Sequence, residues 1–243
     1  MNIIKLDAID STNDFLKDLS RTQIIANFTT VVTKNQTKGK GQMGSTWDSE
    51  VGKNLIMSIL VKDVLKNSDE IFHLNVAIAL AVIQVLEVYN LPQLTIKWPN
   101  DIMSDSKKLC GILIENSFKY DNKIESVIGI GLNVNQKSFE NLPKASSMQL
   151  VMNSEFDVFT ILENVIFQIK KNCSLILSNQ TEKLWIDFHK YLFKKNIPMP
   201  FEDSNKTRFM GIIQGVSNEG KLQIILEDNS IKSFGIREIQ MLY

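Results

Sequence analysis

Two short segments near the middle of the chain carry side chains suited to phosphate and acid–base chemistry. Residues 97–101 read KWPND, and residues 107–112 read KKLCGI. Asp101 follows a rigid Trp–Pro turn at a strand end, where its carboxylate could face a metal ion or an amine. Lys108 stands at the mouth of the next strand, and Gly111 within that strand leaves room for a ligand against the backbone. In isolation, a solvated Asp and two surface lysines at a hairpin explain the same residues about as well.

A glycine-rich segment precedes them, reading QTKGKGQMG over residues 36–44, with Trp47 shortly after. Three glycines in six residues let the backbone approach a ligand and expose successive N–H donors. Lys38 and Lys40 favour an anion. The segment is not a P-loop, because no GK[ST] follows at the required spacing, and no long helix follows as a dinucleotide fingerprint requires. A flexible surface loop is the alternative interpretation.

A third segment, DSTN at residues 10–13, lies where a helix is predicted to begin. Ser11 or Thr12 is a suitable N-cap, and capping alone would explain the string. The functional interpretation is that short polar side chains and free backbone N–H groups at the helix start bind a small polar ligand.

The fourth segment, GIGLNVN at residues 129–135, has the alternation of an ordinary strand. Two glycines and Asn133 are unusual on a buried strand. A buried Asn needs hydrogen-bond partners, which a nucleotide could supply.

Hydrophobic periodicity predicts the elements that position these segments. The run at residues 54–61 predicts a strand buried on both faces. The longest helix is predicted to open at residues 68–70, and residues 109–114 and 126–134 to pair as a hairpin around a polar KYDNK turn at residues 119–123. Further strands are predicted at 2–6, 29–34 and 94–97, a loop at 36–46, and helices at 157–177 and 182–194. After residue 195 only short β runs remain, which predicts a small all-β module.

The bulk composition is that of an ordinary globular protein, with 44% hydrophobic and 22% charged residues. Lys plus Arg and Asp plus Glu both number 27, so the net charge is zero. Strong nucleic-acid binding is therefore disfavoured. Cys110 and Cys173 form no CxxC pattern, which favours buried thiols in a reducing compartment over zinc or a disulfide. The N-terminus does not resemble a signal peptide, and residues 73–89 are interpreted as too short and too polar to span a bilayer. A cytoplasmic protein with no membrane partner is expected.

Taken in order, DSTN, QxxGxGxxG, KWPND, KLxGIL and GxGxNV over residues 7–135 resemble the catalytic domain of biotin–protein ligases, the biotin–[acetyl-CoA-carboxylase] ligases. The resemblance implies an α+β fold: a class II aminoacyl-synthetase-like catalytic domain, with a mixed sheet flanked by helices, at residues 1–195. It also implies an SH3-like β-barrel C-terminal domain at residues 196–243. Some relatives carry an N-terminal DNA-binding domain. This chain begins at the catalytic domain, so a short form without nucleic-acid partners is expected.

The resemblance also implies a reaction and its participants. Biotin, the substrate, would be activated by ATP to biotinyl-5′-adenylate and transferred to one lysine of the biotin carboxyl carrier protein of acetyl-CoA carboxylase or a similar enzyme. Mg²⁺ would be held mainly by the ATP phosphates, and a homodimer is compatible with the family. An intracellular ligase of this kind agrees with the expected cytoplasmic location.

Site residues follow from the same resemblance. Lys108 and Asp101 would be catalytic, with Lys108 contacting the biotin carboxylate and the α-phosphate and Asp101 orienting the incoming lysine. Biotin would also contact Ser11, Thr12, Asn13, Gln36, Gly39, Lys40, Gly41, Gly111 and Ile112. The nucleotide would contact Lys40, Gln42, Met43, Gly44, Trp47, Asn100 and Asn133.

The sequence departs from the family pattern in two places. The glycine-rich loop commonly reads GRGRRG, whereas here Lys40, Gln42 and Met43 replace the three arginines. Lys40 binds phosphate as a point charge rather than a bidentate fork. Gln42 offers only neutral hydrogen bonds in place of an arginine, so weaker retention of the adenylate is expected. The C-terminal domain often ends near GEISL. Residues 236–240 keep only part of that string, which leaves the role of Glu238 open.

Two other classes of protein remain to be weighed. A lipoate ligase or octanoyl transferase shares the fold, and an octanoyl transferase would use Cys110 as its nucleophile. Cys110 lies inside an apolar strand, which favours buried packing. A non-catalytic biotin or nucleotide sensor is disfavoured because both Lys108 and Asp101 are present.

Overall fold

The structure, a computed structural model, describes residues 2–119, 123–140 and 142–243. The predicted KYDNK turn has its centre, residues 120–122, outside the described residues. The helices are α1 (Thr12–Thr22), α2 (Ile71–Val88), α3 (Met148–Met152), α4 (Val158–Leu177) and α5 (Thr181–Tyr191). The strands are β1 (Ile3–Ile9), β2 (Thr30–Gln36), β3 (Leu55–Lys62), β4 (Leu94–Lys97), β5 (Asp101–Ser104), β6 (Lys107–Phe118), β7 (Ile124–Leu132), β8 (Pro198–Asp203), β9 (Arg208–Val216), β10 (Leu222–Ile225), β11 (Ile231–Phe234) and β12 (Ile239–Met241).

Seven strands form one mixed sheet in the order β1-β2-β3-β7-β6-β5-β4. Only β1 and β2 run parallel, and every other neighbouring pair is antiparallel. The α+β class predicted from the sequence is confirmed. In the β6–β7 pair, Gly111 lies opposite Gly131, and Asp101 of β5 lies opposite Gly111 on the other side.

Strand β3, the third in this order, is buried on both faces, as its continuous apolar run predicts, with only its last residue partly exposed. On one face Leu60 packs with Leu16 of α1, Val31 and Val127 in a small cluster. On the other face Ile59 and Val61 join the main core, which α2 and α4 cover. The sheet therefore presents one face to α1 and the other to the long helices.

Three details of the elements were not apparent from the sequence. The helix predicted to open at residues 68–70 begins there with a 3₁₀ turn that runs directly into α2, and the helical stretch Ser68–Val88 has 21 residues against 20 for α4. Asp101 begins a strand of its own, β5, which the sequence did not reveal because it directly follows the Trp–Pro–Asn turn and only Ile102 and Met103 in it are apolar. The predicted loop after Gln36 contains a 3₁₀ turn at Gln42–Gly44.

The description of residues 73–89 as too short and too polar to span a bilayer was wrong. By length and composition alone, the helical stretch Ser68–Val88 could cross a membrane. Most of it is buried within the fold, where α2 packs against α4, α5 and the sheet. Its apolar character is that of a core helix.

The C-terminal segment forms a second sheet of five antiparallel strands in the order β11-β10-β9-β8-β12. A small β module was predicted here, although Pro198 and Pro200 concealed β8, its first strand. The domain division at residues 195 and 196 stays a prediction.

A buried contact joins the two sheets. The indole Nε1 of Trp98, in the KWPND segment, donates a hydrogen bond of 2.9 Å to the carbonyl oxygen of Gly220. Gly220 has a positive φ of 84°, and a Cβ at this position would overlap the ring of Phe72 on α2. Glycine is therefore required here for two reasons, backbone conformation and close approach.

Replacing Gly220 tests how strongly the protein requires glycine at this position. Gly220→Ala should lower the free energy of unfolding by about 1 kcal/mol for the left-handed backbone and by about 2 kcal/mol more for overpacking against Phe72. Chemical denaturation monitored by circular dichroism measures the sum of the two losses.

Gly52→Ala is the matched control, because Gly52 has a φ of 71° and nothing lies within 4 Å of the position that a Cβ would take there. It should show the backbone cost alone. Equal losses in the two variants would mean that the added methyl group at position 220 is not overpacked against Phe72.

Candidate active site

A cavity of about 230 Å³ lies where the start of α1, the glycine-rich loop and the KWPND turn meet β3, β6 and β7. Most of the predicted site residues line it: Ser11, Thr12, Asn13, Gln36, Lys40, Gly41, Gln42, Trp47, Asn100, Asp101, Lys108, Gly111 and Ile112. The same cavity is lined by eight residues that were not assigned to the site from the sequence: Ser45, Thr46, Ile56, Met57, Leu113, Gly129, Ile130 and Gly131. Segments that are far apart in the chain therefore converge on one pocket.

One end of the cavity is formed by the polar start of α1. Ser11 is the N-cap, and its hydroxyl accepts a hydrogen bond from the backbone N–H of Asp14. The backbone N–H and the hydroxyl of Thr12 donate to Oε1 of Gln36 at 2.8 and 2.9 Å. The capping and the ligand-facing interpretations of DSTN are thus compatible, because Ser11 caps the helix while Ser11, Thr12 and Asn13 all line the cavity.

Two further polar side chains hold Asn13 in place. The hydroxyl of Ser58 on β3 lies 2.5 Å from Oδ1 of Asn13 and 2.7 Å from the hydroxyl of Thr12. The Nδ2 of Asn13 donates to Glu115 of β6 at 2.8 Å, and Lys17 of α1 binds the other oxygen of Glu115 at 2.7 Å. The sequence analysis missed Ser58 and Glu115, since each lies in a strand where the pattern of apolar residues indicates which side chains are buried but not which ligand-binding groups they contact.

The opposite end of the cavity carries an ion pair between neighbouring strands. Nζ of Lys108 lies 2.6 Å from Oδ1 of Asp101, and Nζ of Lys97 lies 3.8 Å from the other carboxylate oxygen. The side chains of Lys108 and Asp101 are only partly exposed, so their attraction is screened less than at an open surface. The backbone of Lys108 is fixed as well, because its N–H donates to Lys144 O and its carbonyl accepts from Ser146 N.

Glycines form the floor between these two ends. Gly111 and Gly131 lie opposite each other, and the indole ring of Trp47 lies against both. A Cβ at Gly131 would overlap that ring, and one at Gly129 would come within 2.5 Å of Oδ1 of Asn13. Nε1 of Trp47 is buried against Gly131 and has no hydrogen-bond partner within the described residues.

The glycine-rich loop is held by ion pairs with the start of α1. Nζ of Lys38 lies 2.7 Å from Asp10, and Nζ of Lys40 lies 2.5 Å from Asp14. The hydrogen bond from Lys38 lowers the pKa of Asp10. Burial acts to raise the pKa of Asp14, but its hydrogen bonds with Lys40 and Lys17 leave that pKa lowered. Both expected anion-binding lysines therefore have carboxylate partners.

Four predicted binding residues are not among those that line the cavity. Gly39, Met43 and Gly44 lie on the other side of the loop, beside a second cavity that Leu113 and Glu115 also line. Asn133 is buried, and its amide donates to Ser146 O at 3.0 Å. The sequence correctly indicated that Asn133 needs a partner, but a backbone carbonyl supplies it, which is a structural role.

Asn100 has a structural bond as well as a place in the cavity. Its side-chain Nδ2 donates to Ile112 O at 2.6 Å, and its backbone carbonyl oxygen accepts from Ile112 N at 3.1 Å. Glu238, whose role the sequence left open, accepts a hydrogen bond from Gly235 N at 2.7 Å and so closes a turn.

Cys110 is completely buried in β6, as the packing interpretation predicts. Burial raises the pKa of its thiol far above the usual range, with a smaller opposing effect from Lys108. Since the thiolate is the nucleophilic form, Cys110 is unsuited to form an acyl intermediate. This disfavours the octanoyl transferase interpretation.

Together, these observations define an α+β domain with a glycine-floored pocket, polar at one end and cationic at the other. The biotin/lipoate A/B protein ligase family matches residues 6–135, more than half of the chain. The chain belongs to this family, and the resemblance found in its motifs is confirmed.

Individual relatives and a solved structure agree with the assignment. The chain is 28% identical over 240 residues to the bifunctional ligase/repressor BirA of Bacillus spizizenii, with 96% of this chain and 72% of that protein covered. It is 29% identical over 244 residues to the protein of the same name from Bacillus subtilis, with 98% and 72% covered. The biotin protein ligase from Aquifex aeolicus, solved with biotin and ATP, superposes with a TM-score of 0.82 at 25% identity over 99% of this chain and 98% of that one.

Thiol reactivity tests the burial of the cysteines. Neither Cys110 nor Cys173 should react with a disulfide reagent such as Ellman's reagent in the native protein at about pH 8, near the ordinary pKa of a thiol. Both are buried, and burial also raises the pKa of Cys173, to about 12. Absorbance during the reaction measures the labelled thiol, and the guanidinium-unfolded protein, where both thiols should react, is the control. Rapid labelling of native Cys110 would restore it as a candidate nucleophile.

Proposed function

We propose that this chain uses ATP to convert biotin to biotinyl-5′-adenylate and then transfers the biotinyl group to one lysine of a biotin carboxyl carrier protein. The observation that carries the proposal is the pairing of Lys108 with Asp101 in a glycine-floored cavity that is also lined by the polar side chains of Ser11, Thr12 and Asn13. Family membership and the ligase relatives support it.

The shape of the cavity suggests how biotin is oriented. The ureido ring has hydrogen-bond donors and an acceptor and no charge, which suits the start of α1, with Ser11 and Thr12, and the neighbouring Ser58. The carboxylate at the far end of biotin suits the ammonium group of Lys108. Between them the Trp47 indole covers Gly111 and Gly131, so the ring system of biotin would lie beside that indole rather than against the bare backbone of β6 and β7.

In the first half-reaction a biotin carboxylate oxygen attacks the α-phosphorus of ATP, and the bond from that phosphorus to the pyrophosphate oxygen breaks. Negative charge accumulates on the phosphoryl oxygens as this happens. Lys108 is a positive group already fixed on a strand, so it can stabilise that charge without reorganising. The Trp47 indole lines the cavity and is in place to contact the nucleotide.

Mg²⁺ would be carried mainly by the ATP phosphates. Within the described residues, no group of three or more His, Cys, Asp or Glu side chains is placed to hold a metal ion. Mg²⁺ often keeps several waters and binds one or two carboxylates together with substrate phosphates. Asp101 is the carboxylate that the described residues offer at the cavity, and Mg²⁺ would supply charge neutralisation on the phosphates.

In the second half-reaction the neutral amine of a carrier lysine attacks the acyl carbon of the mixed anhydride, and AMP leaves. Asp101 is placed to orient that amine. Its two oxygens already face the ammonium groups of Lys108 and Lys97, which favours a positioning role over proton abstraction. The glycine-rich loop, folded over the cavity, would limit hydrolysis of the adenylate by water.

Several finer parts of the proposal concern the setting of the reaction. We propose the carrier of acetyl-CoA carboxylase, or a similar biotin-dependent enzyme, as the partner. A cytoplasmic location agrees with the two buried free thiols. A homodimer is compatible with the family, and nucleic acid is not proposed as a partner.

Mass spectrometry of a carrier protein separates the candidate activities. The carrier is incubated with the chain, ATP, Mg²⁺ and either biotin or lipoate. The proposal expects addition of a biotinyl mass at one lysine, dependent on ATP, and no lipoyl mass. Addition of lipoate alone would assign the chain to the other branch of its family, and no addition of either would favour a binding protein.

Replacing Lys108 tests its role in activation. Lys108→Ala should fold normally, because a partly exposed lysine at a strand edge contributes little packing. Adenylate formation should slow by about 2–4 kcal/mol in activation free energy if Lys108 is a preorganised charge donor. Biotin-dependent exchange of pyrophosphate into ATP measures this step. Lys107→Ala is the matched control, since Lys107 is exposed and does not line the cavity. Equal exchange rates in the two variants would remove Lys108 from the mechanism.

The two floor glycines allow the ends of the pocket to be tested separately. In Gly129→Ala the added methyl group would collide with Asn13, so this variant should weaken biotin binding in particular. Gly131→Ala pushes against Trp47 and should weaken ATP binding more. Calorimetric titration with each ligand measures both constants, and each variant serves as the control for the other. If both variants lose the two ligands in the same proportion, the assignment of the two ends is wrong.

A further inference from the structure

An aromatic side chain that follows the second sheet lies beside β4, close to Asp101. Tyr243 comes after β12 and is partly buried against the main core. Its ring lies 5.1 Å from the ring of Phe193, with an angle of 67° between the two planes. Phe193 is buried, and its backbone N–H donates to Ile96 O at 2.9 Å. The Tyr243 ring is therefore held next to the strand in which Lys97 follows Ile96.

Two lysines lie over the Tyr243 ring. Nζ of Lys97 is 5.1 Å from the centre of the ring, and Nζ of Lys144 is 4.1 Å from it. Nζ of Lys144 also donates to the backbone carbonyl oxygen of Tyr243. An ammonium group within about 6 Å of the centre of an aromatic ring is attracted by its face. The ring thus attracts the ammonium group of Lys97, which would otherwise be drawn to Asp101 alone.

The two carboxylate oxygens of Asp101 have different neighbours. Nζ of Lys108 lies 2.6 Å from Oδ1, whereas Nζ of Lys97 lies 3.8 Å from Oδ2. Hydrogen bonds from nitrogen to oxygen are about 2.7–3.2 Å long, so Lys97 attracts Oδ2 by its charge without donating a proton to it. Oδ2 therefore keeps the capacity to accept a hydrogen bond from a donor outside the chain.

We infer that Tyr243 is a positioning residue for the transfer step. Its ring holds the ammonium group of Lys97 away from Oδ2 of Asp101, and so leaves that oxygen to the amine of the incoming carrier lysine. This inference rests on the proposed function and deepens it, because it assigns the amine to one of the two oxygens. Without the ring, Lys97 closes onto Oδ2 in the same way that Lys108 closes onto Oδ1, and the carrier amine must displace it.

Removing the ring should slow transfer and leave activation unchanged. In Tyr243→Ala the biotinyl group should pass from the adenylate to a carrier about fivefold more slowly, the population shift that corresponds to one lost cation–π contact. The loss should appear in the rate at saturating carrier, since the rest of the carrier binds as before. Adenylate formation should keep its rate because Lys108 stays on Oδ1. Tyr243→Phe keeps the ring and should transfer at the rate of the unaltered chain.

A second substitution, Lys97→Met, separates this role from packing. Without the ammonium group the ring has nothing to hold back, so Tyr243→Ala in this background should transfer at the rate of Lys97→Met alone. A merely structural role of Tyr243 would slow transfer in both backgrounds. Lys194→Met is the matched control, because Lys194 lies 5.6 Å from the centre of the neighbouring Phe193 ring and does not line the cavity. In that background Tyr243→Ala should still slow transfer about fivefold.

Single-turnover kinetics measures the transfer step. The chain is loaded with biotinyl-adenylate from biotin, ATP and Mg²⁺, then mixed with a biotin carboxyl carrier protein and quenched at successive times. Mass spectrometry gives the fraction of the carrier that carries a biotinyl group. Biotin-dependent exchange of pyrophosphate into ATP gives the rate of activation for the same variants, and circular dichroism shows that each variant is folded.

Three results would overturn the inference. An unchanged transfer rate in Tyr243→Ala would show that the ring does not restrain Lys97. Equal losses from Tyr243→Ala in the Lys97→Met and Lys194→Met backgrounds would make Tyr243 a packing residue only. A fall in pyrophosphate exchange as large as the fall in transfer would mean that the ring acts through Lys144, whose carbonyl oxygen holds the backbone N–H of Lys108. Failure of the proposed function is distinguishable, because the unaltered chain would then form no adenylate or transfer no biotin.

Discussion

The antiparallel pairing of β6 with β7 is the constraint on which the whole site depends. Its register places Gly111 opposite Gly131, while the pairing of β5 with β6 places Asp101 opposite Gly111. One line across the sheet thus carries a carboxylate and then two residues without side chains. A shift of one residue would turn every side chain to the other face. It would bring Ile112 or Leu132 toward the ligand and move Lys108 away from Asp101.

The sheet can hold this register because both of its faces are covered. Leu16 of α1 packs on one face of β3, and the main core with α2 and α4 packs on the other. The polar side chains of the site then follow from the same alternation. Ser58 lies next to Ile59 on β3 and faces α1, where it meets Thr12 and Asn13. Packing energy in the core thereby fixes the positions of groups that contribute little stability of their own.

Electrostatic pairing gives the site a defined charge arrangement. Lys108, Lys38 and Lys40 each have an aspartate partner, so an incoming anion must compete with Asp101, Asp10 or Asp14 for its contact. The exposed pairs on the loop are weak and give way at little cost. The Lys108–Asp101 pair is less exposed and lies on two strands, so it holds its geometry. This difference suits a site in which the loop moves while the reacting groups stay fixed.

The sequence by itself determined the family, the buried strand β3, the small C-terminal β module and most residues of the cavity. These features are local. Each motif is recognisable from a few consecutive residues, and the periodicity of apolar residues within one element indicates which of its faces is buried. The Ser11 cap could be read in the same way, because a capping side chain bonds within its own turn. Strand β5 was not predicted, since it directly follows the Trp–Pro–Asn turn and only Ile102 and Met103 in it are apolar.

Only the tertiary structure decided how the motifs meet. Three contacts join residues that are far apart in the chain. Asn13 contacts Glu115, 102 residues away, and Trp98 contacts Gly220, 122 residues away. Met43 contacts Arg237 at a separation of 194 residues. The buried Asn133 was expected to need a hydrogen-bond partner, which a nucleotide could supply, and the fold supplies the carbonyl of Ser146. Nothing in a local string encodes such partners, because they depend on strand register and on how the second sheet docks. Both are set by the packing of apolar side chains far from the polar groups that they bring together.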